Sequence, residues 1–350
     1  MDKKVLKQSA GIDVSQKELV VCVGRLYDDW SVDLYGHKSF GNTLKGFQLL
    51  VSWVKKMTDA ALGVRFVMEA TGVYHESLAY FLDDHGYDQS IVLPNKISNY
   101  ARSLDVRTVT DKTASEAIAR FGLERKLDNW RRPKEIFKRL RQITRERDQV
   151  VTARTIAKNQ LHAEEAQAWP NAGSVSRIKQ QIKLLNRQDK EIKEEIAALI
   201  KTDEAVKGSV DTISSLPGVG NLTAAIALAE TNGFELIRNK KQLASYAGFD
   251  VKEKQSGTSV KGKSKISKRG NRHLRKAMHM PALAAIRHDE RYKAIYTRLV
   301  SRHGIKMKAA VAVQRKLLEM IYTLYKTNTL YDKNYLQRNE LKKEANVEMG

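Results

Sequence analysis

Between residues 134 and 201, apolar side chains recur every three or four positions. Ile136, Leu140, Ile143, Val150, Ala157 and Leu161 follow that spacing, and Arg147 and Arg154 occupy the two positions where it lapses. After Trp169-Pro170-Asn171-Ala172-Gly173 it resumes with Ile178, Ile182, Leu185, Ile192, Ile196 and Leu199; here Asp189 is the residue out of place. Such spacing draws an apolar stripe along a helix. It predicts two long helices broken at Trp169–Gly173, as an antiparallel hairpin or a dimerising coiled coil. Plain packing within one chain satisfies the same pattern. Neither arrangement supplies chemistry, so function must come from the flanking regions.

The N-terminal region alternates strand and helix signals. Ser9 to Val14 and Leu19 to Gly24 read as a β-hairpin, and Val32 to Phe40 as a third strand. A helical stretch, Leu44 to Met57, leads to a buried strand at Val64-Arg65-Phe66-Val67-Met68, which ends in Glu69-Ala70-Thr71-Gly72. A helix from about Tyr74 to His85 stops at Gly86, and a short strand, Ser90 to Leu93, precedes Pro94. This order implies an α/β layer fold with a mixed sheet. Past the long helices, Leu216-Pro217-Gly218-Val219-Gly220 followed by Thr223-Ala224-Ala225 has the form of a helix-hairpin-helix turn. Gly218 and Gly220 would let backbone amides approach phosphates at a helix N-terminus, although a structural turn explains them as well. Two further helices are expected, about Asn271 to His288 and Met307 to Lys326, then a charged tail. The division is thus an α/β domain (1–130), a helical coiled-coil middle (131–205), a mainly α C-terminal domain (206–335) and a tail (336–350).

Charge narrows the partner. The 350 residues carry a formal charge of +22, far beyond what solubility needs, and this predicts DNA or RNA bound with release of counterions. The excess peaks between Lys252 and Lys276, where ten Lys or Arg accompany one acid, Glu253. Lys261, Lys263, Lys265, Lys268, Arg269 and Arg272 are the expected phosphate contacts. The same loop carries Gln255-Ser256-Gly257-Thr258-Ser259. Its serines suit phosphate hydrogen bonding, or presentation of a nucleophile to a phosphodiester. One cysteine, Cys22, sits in an apolar run and reads as core filling. No apolar run approaches the ~20 residues that span a membrane. The expectation is a soluble, cytoplasmic, nucleoid-associated protein with no membrane partner.

Three constellations bear on chemistry. Asp13 lies in an apolar strand, Glu69 ends another, and Asp111 and Glu116 fall at the start of a helix. An acid among apolar neighbours is costly unless its charge is compensated. A divalent cation on a phosphate would do so through hard oxygen ligands. Ser256 has no Ser-His-Asp partner nearby in sequence. His288-Asp289-Glu290-Arg291, with Tyr322 and Tyr325 following, matches the spacing of tyrosine recombinases but is short enough to arise by chance in an Arg-rich chain.

In order along the chain stand Gly11-Ile12-Asp13-Val14-Ser15, Glu69-Ala70-Thr71-Gly72-Val73-Tyr74, Pro94-Asn95 and Thr110-Asp111-Lys112. The second half adds Leu216–Gly220, Tyr246-Ala247-Gly248-Phe249, Gln255-Ser256-Gly257, Ile266-Ser267-Lys268-Arg269-Gly270-Asn271, Leu274-Arg275 and Arg315-Lys316-Leu317-Leu318. This series resembles the DEDD-type transposases of insertion sequence family 110, to which site-specific DNA invertases are related. The resemblance implies an RNase H-like, RuvC-like first domain whose acids bind Mg²⁺ or Mn²⁺, a coiled-coil middle, and a C-terminal transposase domain whose serine attacks DNA. That serine maps onto Ser256, and the metal ligands onto Asp13, Glu69 and Asp111. The family's last acid falls at Ala114 here, and Glu116 is the nearest substitute. ATP-independent recombination, a structured guide RNA and a homodimer or homotetramer around two duplexes are implied too. A metal-dependent junction endonuclease without serine chemistry, a tyrosine recombinase using Tyr322 or Tyr325, and a structural RNA-binding protein are the alternatives.

Overall fold

A computed structural model describes residues 3–70, 72–104, 108, 110–235, 237–252, 255–256, 260–261 and 265–335, with backbone alone for 255–256 and 260–261. The chain forms two compact units, Met1–Arg132 and Pro133–Gly350.

The first unit runs β1 (Val5–Val14), β2 (Glu18–Tyr27), β3 (Val32–Gly41), α1 (Leu44–Met57), β4 (Val64–Glu69), α2 (Glu76–Asp84), β5 (Gln89–Val92), α3 (Pro94–Ser103) and α4 (Asp111–Glu124). The first three strands form an antiparallel meander, and β4 and β5 join on the other side of β1, parallel to it. The order is β3-β2-β1-β4-β5, the mixed sheet that the strand and helix signals imply. Alternation along the strands divides the core. Ile12, Val14, Val21, Phe66 and Met68 pack with Phe47, Leu50, Leu78 and Leu82 of α1 and α2. Val67 and Val92 pack with Ile97, Tyr100, Ile118 and Phe121 of α3 and α4.

Gly11 decides how α4 lies on the sheet. A Cβ at Gly11 would stand 2.1 Å from the Ala119 amide nitrogen and 2.5 Å from the Ser115 carbonyl oxygen. Only a residue without a side chain lets the helix backbone rest on β1. Near the other end of the contact, Lys7 Nζ donates to the Leu123 carbonyl at 3.2 Å. The helix therefore runs against β1, and its N-terminus lies toward the Asp13 end of the strand.

The second unit runs α5 (Glu135–Glu165), α6 (Ala172–Lys201), α7 (Glu204–Ser214), α8 (Asn221–Thr231), α9 (Lys240–Tyr246), β6 (Val251–Lys252), β7 (Gln255–Ser256), β8 (Val260–Lys261), β9 (Lys265–Ile266), α10 (Arg272–Ala277), α11 (His279–His288), α12 (Glu290–His303) and α13 (Lys306–Thr327). Helices α5 and α6 are antiparallel, since Glu165 pairs with Lys179 and Arg154 with Asp189. The three exceptions to the apolar spacing meet one another. Buried Asp189 lies 2.9 Å from Arg147 and 3.1 Å from Arg154, and Lys193 closes the cluster at 2.9 Å. Burial alone would raise the Asp189 pKa; the bond from Lys193 and the charges of Arg147 and Arg154 outweigh it and hold the carboxyl below its usual range. Phe137, Leu140, Ile192, Ile196 and Ile200 join one core with Leu228, Phe234 and Leu317, so that part of the stripe is satisfied within one chain.

Two expectations need correction. The helix expected from Asn271 to His288 divides at Met278, which ends α10 and begins α11. Helix α12 was not expected. Asp289, read as part of a recombinase-like spacing, is its N-cap and accepts from the amides of Arg291 and Tyr292, while Tyr292, Ile295 and Tyr296 face the core. The tail 336–350 lies outside the described residues. Among the described residues, no helix is long and apolar enough to cross a membrane.

Candidate active site and nucleic-acid interface

The carboxylates gather at one edge of the first unit. Ile12 pairs with Met68 across the parallel strands, so Asp13 and Glu69 are the next residues on adjacent strands and leave the sheet on one face. Asp111 opens α4 on that face. Its helix is capped by Thr110, whose side chain accepts from the Thr113 amide while the Thr113 hydroxyl accepts from the Thr110 amide. Burial first, then the charges of Asp111 and Glu69, push the Asp13 carboxyl up to about 6. The charges of two acids from two other segments thus act on Asp13. Among the described residues, no three His, Cys, Asp or Glu side chains stand at metal-binding separations; what the structure brings together is their charge. The donor set fits a hard divalent cation, because all three are carboxylates and a cation would offset the burial and the neighbouring charges that raise Asp13.

Glu116 is not brought into this group. Gly11, Cys22 and His37 form one row across β1, β2 and β3, and Glu116 leans along that row. Its Oε1 lies 2.9 Å from His37 Nε2. Burial first, then the Glu116 charge, raise the Cys22 thiol to about 12, which makes Cys22 inert core. The Ser115 carbonyl lies against Gly11 and its side chain is fully buried, and a step of one residue turns the next side chain ~100° round the helix. That step carries Glu116 toward β2 and β3 and away from Asp13.

In the second unit the basic segment is a ribbon rather than a plain loop. Val251 and Lys252 pair with Ile266 and Lys265, and beyond them Gln255 and Ser256 pair with Lys261 and Val260. The backbone of Ser256 therefore sits in the outer ladder; its side chain, that of Lys261, and all of Lys263 lie outside the described residues. Lys265, Lys268, Arg269 and Arg272 are exposed.

Against this geometry stand the comparisons with known proteins. A model for DEDD transposases of the IS110 type matches residues 10–170, and one for transposases of the IS116/IS110/IS902 family matches residues 210–297. The chain belongs to the IS110 family of transposases. Over 328 residues this transposase is 26% identical to the pilin gene-inverting protein of Moraxella bovis, covering 93% of this chain and 98% of that one. It is 30% identical over 156 residues to the transposase for insertion sequence element IS1111A of Coxiella burnetii, which covers 42% of this chain and 41% of the relative. A structure of Thermus thermophilus RuvC with a Holliday junction substrate aligns with 32% of the transposase and 90% of RuvC, at 12% identity and a TM-score of 0.25.

The remaining candidates have local explanations. Gly218 has a φ of +85°, and a Cβ there would meet the Pro281 carbonyl oxygen at 2.5 Å, so close packing on α11 requires it. Gly220 is the N-cap of α8, and a Cβ there would meet nothing within 4 Å. Tyr322 is buried, and its hydroxyl donates to the Ile237 carbonyl at 3.0 Å. Tyr325 packs against Phe234, and burial raises its pKa. Neither tyrosine is presented as a nucleophile.

One cluster escaped sequence reasoning. Glu230, 2% exposed, accepts from Arg145 Nε at 2.7 Å, from Arg145 Nη2 at 2.8 Å and from Asn271 Nδ2 at 2.6 Å. Nearby, Asp148 pairs with Lys276 and, at 3.4 Å, with His273. Arg145, Asp148, Glu230, His273 and Lys276 line a cleft of about 340 Å³ together with Val151, Leu222, Ile226 and Met280. The overlooked signal was an acid in the otherwise apolar run Ala224-Ala225-Ile226-Ala227-Leu228-Ala229.

Proposed function

We propose that this transposase cleaves and exchanges DNA strands of an insertion sequence through the Ser256 hydroxyl, with Asp13, Glu69 and Asp111 holding a divalent cation, Mg²⁺ or Mn²⁺. The observation that carries the reading is the placement of Asp13 and Glu69 side by side on adjacent parallel strands, with Asp111 opening α4 on the same face, in a chain whose basic ribbon carries a serine. When bound, the cation neutralises charge on the scissile phosphate. Ser256 Oγ forms a bond to phosphorus, the phosphorus bond to one deoxyribose oxygen breaks, and the released DNA hydroxyl takes up the proton. The phosphoserine link keeps the energy of the broken bond, so a second DNA hydroxyl restores a phosphodiester and frees the serine without ATP. Lys265, Lys268, Arg269 and Arg272, together with Lys261 and Lys263, grip flanking phosphates and set a steep salt dependence.

Glu116 is left out of the metal set, since His37 engages it. Target choice falls to a structured RNA encoded by the element, which pairs with donor and target DNA, and the working form is a homodimer or homotetramer. The charge of +22 supports a nucleic-acid partner; the guide role and the assembly rest on family resemblance.

Strand exchange on end-labelled DNA tests the serine. Ser256→Ala should abolish exchange and the covalent protein–DNA adduct, whereas Tyr322→Phe and Tyr325→Phe should retain both. Full exchange by Ser256→Ala would hand the reaction to a metal-dependent endonuclease built on the carboxylates alone. Efficient exchange after complete RNase digestion would remove the guide.

A further inference from the structure

The ribbon that carries Ser256 leaves and re-enters the helical body at two feet. Tyr246 closes α9 ahead of β6, and Asn271 caps α10 after β9. The feet are bonded directly, because the Asn271 amide donates to the Tyr246 carbonyl at 2.7 Å. Above that bond, the Lys268 amide donates to the Gly248 carbonyl at 3.1 Å and the Ser267 amide to the Asp250 carbonyl at 2.8 Å. Ser267 Oγ also donates to Asp250 Oδ1 at 2.6 Å.

Both feet converge on one residue of α8. The Tyr246 hydroxyl donates to the Glu230 carbonyl at 2.7 Å, and Asn271 Nδ2 donates to the Glu230 carboxylate. Arg145 of α5 holds the other side of that carboxylate through two parallel bonds, a geometry that fixes orientation as well as charge. Burial alone would raise the Glu230 pKa; the bonds from Arg145 and Asn271 outweigh it and hold the carboxyl below its usual range. Asn271 is spent twice, since its Oδ1 also accepts from the Leu274 amide at 2.9 Å to cap α10.

We propose that Glu230 is a positioning residue for strand exchange: its carboxylate ties the Asn271 foot of the Ser256 ribbon to Arg145 of α5, while its backbone carbonyl holds the Tyr246 foot. The consequence for catalysis rests on the serine reading above; the clamp itself does not. A helix that needed only packing would carry an apolar residue at this buried site. A charged one is costly to bury, and here every bond it makes leads to the ribbon's feet or to α5.

Hydrogen exchange of the full-length protein tests the clamp at the Ser267, Lys268 and Asn271 amides. Two variants are needed. Glu230→Gln removes the charge at constant shape. Asn271→Ser keeps a side chain able to cap α10 but lacks the reach and the amide that bond Glu230, and it decides the matter if the first fails to fold. Both should speed exchange at these amides about tenfold while α13 amides hold. Adduct formation at saturating DNA should slow about tenfold with an unchanged Kd for DNA. Unchanged exchange in a folded variant overturns the clamp, whatever Ser256 does. Faster exchange with an unchanged adduct rate overturns its role in the reaction. If the unsubstituted protein forms no adduct, the serine reading fails separately, and the rate of strand exchange takes the adduct's place in the same comparison.

Discussion

The two units treat carboxylates withdrawn from water in opposite ways. In the helical unit, Asp189 and Glu230 each sit among two or more donors, and their pKa values are held down. In the sheet unit, partial burial first and then the charges of Asp111 and Glu69 raise the Asp13 pKa to about 6. Compensated acids stabilise a fold, whereas acids set against one another cost stability and are retained for what they bind. On the function proposed above, the contrast would separate structural from catalytic carboxylates without reference to sequence motifs.

The sharpest way to break that contrast is Asp13→Asn. Strand cleavage should fall on the order of 10²–10³-fold while Tm holds or rises, because a repulsive charge has gone. A fall in Tm would place Asp13 with the structural acids. Next in size is Asp189→Ala, which strands two partly buried guanidiniums and should cost about 3 kcal/mol in urea unfolding. Replacing Asp189, Arg147 and Arg154 together by leucine should recover that loss, since a continuous apolar stripe replaces a buried ion cluster.

Smaller is the effect of acid. Glu230 is held below its unfolded pKa of about 4.3, so its contribution is complete above that value and is lost as pH falls through the folded pKa. Stability of the unsubstituted protein should therefore fall more steeply on acidification below about pH 4.3 than that of Glu230→Gln. The smallest change belongs to Glu116→Gln. Its pair with His37 is partly exposed, and its loss should cost less than about 1 kcal/mol and leave cleavage intact. Loss of cleavage there would return Glu116 to the metal set.

Much of this was legible in the chain. Helix α1 was expected at its observed bounds, the meander and the strand before Glu69 within a few residues, because period and punctuation are local signals. Asp13, Glu69 and Asp111 were expected as a set, and the charges of the last two act on the first. What escaped depended on contacts across elements. Glu116, the nearest substitute for the family's last acid, pairs with His37, a contact hidden because distance along a helix does not reveal which strand a side chain faces. Helix α12 was hidden by its density of charge, and Asp289, an intervening residue of a spacing already set aside as chance, serves as its cap. Arg147, Arg154 and Asp189 were each visible as faults in a stripe, but only the antiparallel pairing turns three faults into one cluster.

That cluster sets the hairpin's alignment. An apolar repeat of seven residues is blind to a slide of one heptad, since leucine replaces leucine. Arg147 and Arg154 are themselves seven residues apart, and both reach the single Asp189. A slide either way would leave a guanidinium facing aliphatic side chains. The ionic cluster thus acts as a detent: it turns a continuum of near-equal alignments into one, and any load passed along the two long helices must first break it.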